Sequence, residues 1–230
     1  TRTQRFIDIS KRGLLPVPIR YYAAHTGRWG GDDKINLQNL PSRGANGKKL
    51  KNSIIAPAGH TLIDADSAQI EARVLAWLAE QTELTKSFAK GEDVYVKMAS
   101  HIYGVPEEKI NKDQRFVGKT TILGAGYGMG APKFVAQLKN FGFDMDIDEA
   151  RRVIKVYRNT NGKINELWRD AHRSLVGLTK NEKTELGVGG VLEVVPKETA
   201  IRLPSGLLLR YDDLQFKQID ENVEFTYKTR

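Results

Sequence analysis

Residues 62–80 read LIDADSAQIEARVLAWLAE, and no other stretch constrains the fold as much. An apolar, strand-like run, Thr61-Leu62-Ile63, reaches Asp64-Ala65-Asp66 and then gives way to a helical pattern. Ile70, Val74, Trp77 and Leu78 recur at helical spacing, with Ala72, Ala76 and Ala79 as strong helix formers between them. A carboxylate at a strand end, just ahead of a helix, is held rigidly at an edge open to solvent, where a metal-binding acid can work. The competing reading is structural: Asp66 caps the helix, with Gln69 three residues on completing a capping box.

The stretches on either side frame this unit. Residues 1–24 read as extended, with Ile19-Arg20-Tyr21-Tyr22 as a strand after Pro16 and Pro18. Residues 25–49, rich in Gly, Asn, Arg and Lys, read as a long loop. Long ordered loops are usually functional, and Arg28, Asn36, Gln38, Asn39 and Arg43 suit phosphates, sugars and base edges. A disordered surface loop is the alternative. Residues 53–63 predict a hairpin turning at Pro57-Ala58-Gly59 and feeding Asp66. Helices are expected over 84–89 and 94–103, the latter with Asp93 as its cap and Gly104 as its stop.

Residues 111–130, NKDQRFVGKTTILGAGYGMG, form a second informative stretch. A helix from Asn111 or Lys112 to about Leu123 is expected. Arg115, Lys119, Leu123 and Tyr127 are spaced by four, so they follow one slowly turning stripe roughly 18 Å long. Two cations and an aromatic on one stripe can hold a polyphosphate at one end and a flat base at the other. A solvated basic face is the bland alternative. The run Gly124-x-Gly126-Tyr127-Gly128-x-Gly130 follows a helix and has no GK[ST] ending, so it is neither a P-loop nor a dinucleotide fingerprint. Such glycines, Gly128 among them, suit a helix end that a nucleic acid backbone can approach.

Further helices are expected over 132–140 and over 147–178, with a break at 159–162. The remainder, 188–195, 199–204, 207–214 and 223–227, reads as β, with a turn at Pro204-Ser205-Gly206. The formal charge of +8 favours a polyanionic partner. The absence of cysteine excludes disulfides, thiolate metal sites and cysteine nucleophiles. The four histidines are scattered and suggest no zinc motif. With no apolar run near the roughly 20 residues of a membrane span and no signal-peptide core, a soluble, cytoplasmic location without membrane contact is expected.

At these residues the chain resembles a known family. Asp66-Ser67-Ala68-Gln69-Ile70-Glu71-Ala72-Arg73 is similar to motif A of the family A (Pol I-like) DNA polymerases. Arg115-x-x-x-Lys119-x-x-x-Leu123-x-x-x-Tyr127-Gly128 resembles motif B, and Thr26-Gly27-Arg28 with Asn36-Leu37-Gln38-Asn39-Leu40-Pro41 resembles the segment preceding motif A. Three motifs in the family's order are specific together, and the likeness is strongest to phage-type members. The resemblance implies an α+β fold, a fragment of the polymerase right hand with helical fingers on a partial antiparallel β palm. Its expected divisions are 1–83 (palm part), 84–180 (fingers) and 181–230 (a β-rich return towards the palm).

The resemblance also implies roles. Asp66 would be one of two aspartates holding two magnesium ions for nucleotidyl transfer to a primer 3′ end. Glu71 would crowd the sugar 2′ position, and Gln69 and Ile70 would lie beside the incoming deoxynucleoside triphosphate. Arg115 and Lys119 would bind its triphosphate, with Lys119 placed to protonate pyrophosphate. Leu123 and Tyr127 would pack at the nascent base pair. Arg28, Asn36, Gln38, Asn39 and Arg43 would touch primer or template DNA.

Several positions depart from the pattern. Ser67 and Ala68 replace the usual Tyr and Ser, Leu123 replaces an aromatic, and Tyr95 stands where a triphosphate-contacting His is usual. Tyrosine still donates a hydrogen bond but brings no charge. The motif C His-Asp pair is absent from the sequence, and Tyr211-Asp212-Asp213 reads as a polar strand end rather than its substitute. The chain is therefore expected to be a polymerase fragment holding the fingers and part of the palm, inactive alone, in a bacterial or phage-infected cell. A missing palm segment or a partner chain would complete it. The rival readings are a non-catalytic nucleic-acid-binding module, one subunit of a split polymerase and, more weakly, a P-loop-like nucleotidase.

Overall fold

The computed structural model describes residues 2–40, 44–219 and 222–228. The chain forms two compact units, Thr1–Asp66 and Ser67–Lys228.

The first unit departs most from the sequence expectation. Helix α1 (Arg2–Ser10) occupies part of the stretch expected to be extended. Gln4 donates to Asp8 one turn on, and Ile9 is buried. Arg5 reaches across to Asp33, donating to its carboxylate at 2.9 Å and its carbonyl at 3.0 Å. The expected strand shrinks to β1 (Ile19–Arg20), paired antiparallel with β2 (Gly30–Gly31). Within the expected loop, Asn36 caps a short 3-10 turn over Leu37–Asn39, and helix α2 (Gly44–Asn52) follows. Lys49 and Lys51 in the last turn of α2 complement its C-terminal carbonyls.

The predicted hairpin does not form. Only its turn survives, with His60 N donating to Pro57 O at 3.1 Å, and no strand lies between 53 and 66 among the described residues. Ile55, Leu62 and Ile63 are exposed. A strand needs a partner ladder, and these apolar residues meet none among the described residues of this unit.

The second unit is a helical body with a small sheet. Helix α3 (Ile70–Leu78) starts a few residues after Asp66, and its two faces are unequally covered. Ala72, Ala76 and Ala79 are buried, whereas Ile70, Val74 and Trp77 are exposed. The small row packs inward because it lets neighbouring backbones come close. Residue Gln69 stands at the N-cap in the left-handed region (φ 56°) and makes no side-chain capping bond, so the Asp66–Gln69 capping box is not built. Next come α4 (Thr82–Ala89) and α5 (Val94–Tyr103), the latter capped by Asp93 and stopped at Gly104 as read. Helix α6 (Lys112–Ala125) opens with a capping box between Asn111 and Gln114 and runs about two residues past its expected end.

Helices α7 (Ala131–Lys139), α8 (Ile147–Thr160) and α9 (Gly162–Thr179) complete the body. The expected break near 160 is held by Gln81, whose amide donates to Thr160 O at 3.4 Å and accepts from Lys163 N at 3.1 Å. The core lies among α3–α8, around Met98, Ile102, Phe134, Leu138 and Val153. Helices α5 and α6 approach so closely that a Cβ on Gly118 would lie 2.2 Å from the carbonyl oxygen of Tyr95.

A four-stranded antiparallel sheet follows, ordered β3 (Glu185–Leu186), β4 (Leu192–Val195), β5 (Ala200–Arg202) and β6 (Leu208–Arg210). The predicted turn at 204–206 joins β5 to β6, with Gly206 at φ 83°. Leu178, Leu186, Val194 and Ile201 make a second, smaller core beneath α9. Strands β7 (Asp212–Ile219) and β8 (Asn222–Lys228) pair as a separate antiparallel ribbon. The strand expected over 207–214 is therefore divided after Arg210, and Asp212 and Asp213 open β7 instead of ending a strand. Among the described residues no helix is long and apolar enough to cross a membrane.

Candidate functional site

In the second unit, the sequence stripe becomes a face of α6 that continues into the turn after it. Arg115 is exposed, Lys119 and Leu123 are half-buried, and Tyr127 is exposed. The turn closes through Tyr127 N to Gly124 O (3.0 Å) and Gly128 N to Ala125 O (2.9 Å). Of the glycines in this run, Gly128 alone has a positive φ (73°), and a Cβ there would meet open space. Gly124 and Gly126 stay helical and serve packing: a Cβ on Gly126 would lie 2.7 Å from Ile122 O and 3.3 Å from a Leu75 methyl.

Two groups of predicted residues meet on this face. At its first end, Arg115 Nε donates to Asp93 Oδ2 at 2.8 Å. The other oxygen of Asp93 accepts from Tyr95 N (3.0 Å) and Val96 N (3.1 Å), so one carboxylate both starts α5 and orients Arg115. Beneath them lies the buried ring of Tyr95, with Arg115 Cζ at 5.4 Å and Lys119 Nζ at 5.7 Å from its centroid. Burial alone would raise the Asp93 carboxyl. The bonds from Arg115, Val96 and Tyr95 outweigh it and hold the group below the usual carboxylate range.

A folded-state pKa below the unfolded one stabilises the fold above the unfolded value, about 3.9, and that stability is lost as pH falls through the lower folded value. Asp93→Asn should therefore lower the thermal midpoint at pH 7 by more than at pH 3. A difference between wild type and variant that stays constant from pH 7 to pH 3 would contradict this account.

At the other end, the Tyr127 hydroxyl donates to the Glu71 carboxylate, joining the turn after α6 to the first turn of α3. Glu71, Ala72, Leu75, Ile122, Leu123, Gly126, Tyr127 and Trp168 line a mostly apolar cavity of about 90 Å³. Position 70 is exposed and Gln69 half-buried at the entrance to α3. The chain leading into α3 is held by Arg73. Its Nε donates to Ala68 O (3.0 Å), and its guanidinium lies over the Phe88 ring (4.7 Å).

Within the first unit, Asp66 is exposed. Its neighbour Asp64 is engaged by Lys51 at 2.7 Å, so the two acids of the DAD run differ in availability. Asn36 is committed in part to its cap, accepting from Asn39 N at 3.2 Å, while the Gln38 and Asn39 side chains are exposed. Arg28 is exposed, and its carbonyl accepts from Ala23 N and Ala24 N. Arg43 lies outside the described residues. Among the described residues no group of three or more acids or histidines could hold a metal by itself.

Two contributors were not assigned from sequence. Asp93 was read only as a cap, because its bond to Arg115 is tertiary. Arg73 carried a signal in its place within the motif A run, but no role was attached to it.

The family model described as DNA polymerase family A matches residues 11–184. DNA polymerase I of Rhizobium leguminosarum is 41% identical over 122 residues, which is 53% of this chain and 12% of that protein. The thermostable DNA polymerase I of Thermus aquaticus is 33% identical over 67% of this chain and 18% of its own length. A solved structure described as the POL domain of Pol1 from M. smegmatis, in complex with DNA primer-template and dNTP, superposes with a TM-score of 0.62. It is 25% identical, over 78% of this chain and 30% of that one. The chain thus spans less than a fifth of the length of these curated relatives.

Proposed function

The chain belongs to DNA polymerase family A, and on that premise we propose that it supplies the nucleotide-binding side of a template-directed deoxynucleotidyl transferase. One observation carries the proposal: Arg115, Lys119, Leu123 and Tyr127 share one face, with Glu71 from the motif A helix bonded to Tyr127 at its end. In this reading residues 1–83 contribute to the palm, 84–180 form the fingers and 181–230 return towards the palm, in an enzyme of the cytoplasm.

Arg115 and Lys119 bind the triphosphate of the incoming nucleotide. Arg115 presents a planar fork and Lys119 a compact charge. As the bond to the α-phosphate breaks, pyrophosphate gains charge, and the Lys119 ammonium is positioned to donate a proton to it. Leu123 and Tyr127 offer apolar and aromatic surface to the nascent base pair. Glu71, fixed by Tyr127, occupies the space a 2′ hydroxyl needs, which selects deoxyribose. Gln69 and Ile70 stand at the entrance to α3 beside the same nucleotide, with Tyr95 beneath the two cations. Arg28, Asn36, Gln38, Asn39 and Arg43 would hold primer-template DNA, and Gly128, lacking a side chain, lets the strand pass close.

The chemistry of Asp66 fits magnesium: it is an exposed hard oxygen donor that makes no hydrogen bond or ion pair among the described residues. It would supply one ligand, with phosphate oxygens, water and a second carboxylate completing the shell. Magnesium held there would supply activation of the primer hydroxyl and charge stabilisation of the leaving group.

Template dependence tests the proposal. The purified chain, primer-template DNA and magnesium should retain a labelled deoxynucleoside triphosphate complementary to the template base better than a mismatched one. DNA binding that falls steeply with salt, with no nucleotide retained, would favour a non-catalytic nucleic-acid-binding module instead.

A further inference from the structure

Tyr95 is buried at the start of α5, where a hydroxyl would be judged by its hydrogen bonds and a ring by what lies over its face. Two cations from α6 lie over it, at 5.4 and 5.7 Å from its centroid. Both distances fall inside the range, about 6 Å, in which a cation is attracted by the negative face of an aromatic ring. The arrangement is built by the backbone. Asp93 pins the first turn of α5 through the amides of Tyr95 and Val96. Gly118, between the two cations in sequence, lets α6 lie against the carbonyl of Tyr95.

We propose that Tyr95 is a positioning residue for polyphosphate, acting through its ring face and not through a hydroxyl contact to the ligand. Two like charges one helical turn apart repel each other. The ring and the Asp93 carboxylate offset that repulsion and hold both side chains in place before any ligand arrives. A polyphosphate then meets a preset pair of cations and spends less free energy ordering long, flexible side chains. The proposal rests on the nucleotide-binding reading of this face, and it specifies how the face is prepared.

The test is titration calorimetry of the full chain with inorganic tripolyphosphate, which reads the cation pair without base, sugar or template. Tyr95→Phe should bind within about twofold of wild type, and Tyr95→Leu roughly tenfold more weakly, as expected for losing two cation–ring contacts. Pentafluorophenylalanine at position 95 keeps the ring's shape and reverses its charge distribution. It should weaken binding as Leu does, which covers the case in which the Leu variant fails to fold. Tyr95→Phe losing as much affinity as Tyr95→Leu would overturn the proposal in favour of a hydroxyl contact. Wild-type affinity in the fluorinated variant would overturn any role for the ring while leaving the nucleotide-binding reading intact. Failure of the wild-type chain to bind tripolyphosphate would overturn both.

Discussion

Gly118→Ala should lower the thermal midpoint by roughly 4–8 °C, the shift expected of about 2 kcal/mol in a domain of this size. Alanine is normally the better helix residue, by roughly 1 kcal/mol, so the sign runs against propensity. The added Cβ would sit 2.2 Å from Tyr95 O, with Ala99 N at 3.0 Å and the Ala99 methyl at 3.2 Å. The two closest of these atoms are backbone, which no rotamer change can move. Relief requires α5 and α6 to separate, opening a core that includes Met98, Val117 and Ile122. Gly162→Ala is the matched control: nothing lies within 4 Å of its Cβ position, and the midpoint should hold or rise slightly. Equal midpoints for wild type and Gly118→Ala, measured by calorimetry, would mean that the helices are not held at this distance. Because Gly118 also seats the Tyr95 carbonyl, the same substitution should disturb the cations above the ring.

Lys119→Ala and Arg115→Ala should each weaken binding of a magnesium deoxynucleoside triphosphate by roughly 10- to 100-fold, the value of a charge-assisted hydrogen bond or two. Lys119 is only half-buried, so the thermal midpoint of Lys119→Ala should change little and its loss can be assigned to the ligand, whereas Arg115→Ala also removes the bond to Asp93 and should lower the midpoint modestly. The two substitutions should not add fully, because both cations share one ring and one polyphosphate. Titration of a fluorescent nucleotide analogue measures this directly. Wild-type affinity in both variants would remove the polyphosphate from this face and with it the central support for the proposed function.

What the sequence disclosed was local chemistry. Asp93 as a cap, Gly104 as a stop and Asn111 at the start of α6 are each decided within four residues, and each stands where expected. The stripe from Arg115 to Tyr127 was legible for the same reason. Contacts across the chain were not. The bond between Glu71 and Tyr127 spans 56 positions and that between Asp93 and Arg115 spans 22, and neither has a periodic signature.

The departures have separate causes. Helix α2, GANGKKLKN, has the composition of a loop and forms a helix nonetheless. Helix α1 lies wholly ahead of the prolines at 16 and 18, which limit a helix only near their own positions. In α3 the spacing marks a helix but not its covered face, which the structure assigns to Ala72, Ala76 and Ala79, because periodicity finds the faces of a helix without saying which is covered. The hairpin before Asp66 failed because β-forming residues specify a strand only when another strand receives them.

The order in which the helices pair also bears on how the second unit comes into being. α3 packs on α4, α5 on α6 and α7 on α8, each helix meeting its neighbour in sequence. Closing short loops costs little chain entropy, so such pairs can form early and quickly. The bonds of Gln81 to Thr160 and Lys163 join positions about eighty residues apart. They are the costlier kind of contact in chain entropy, joining the start of α4 to the α8–α9 junction, a region that α3 and α9 also bring together by packing on each other.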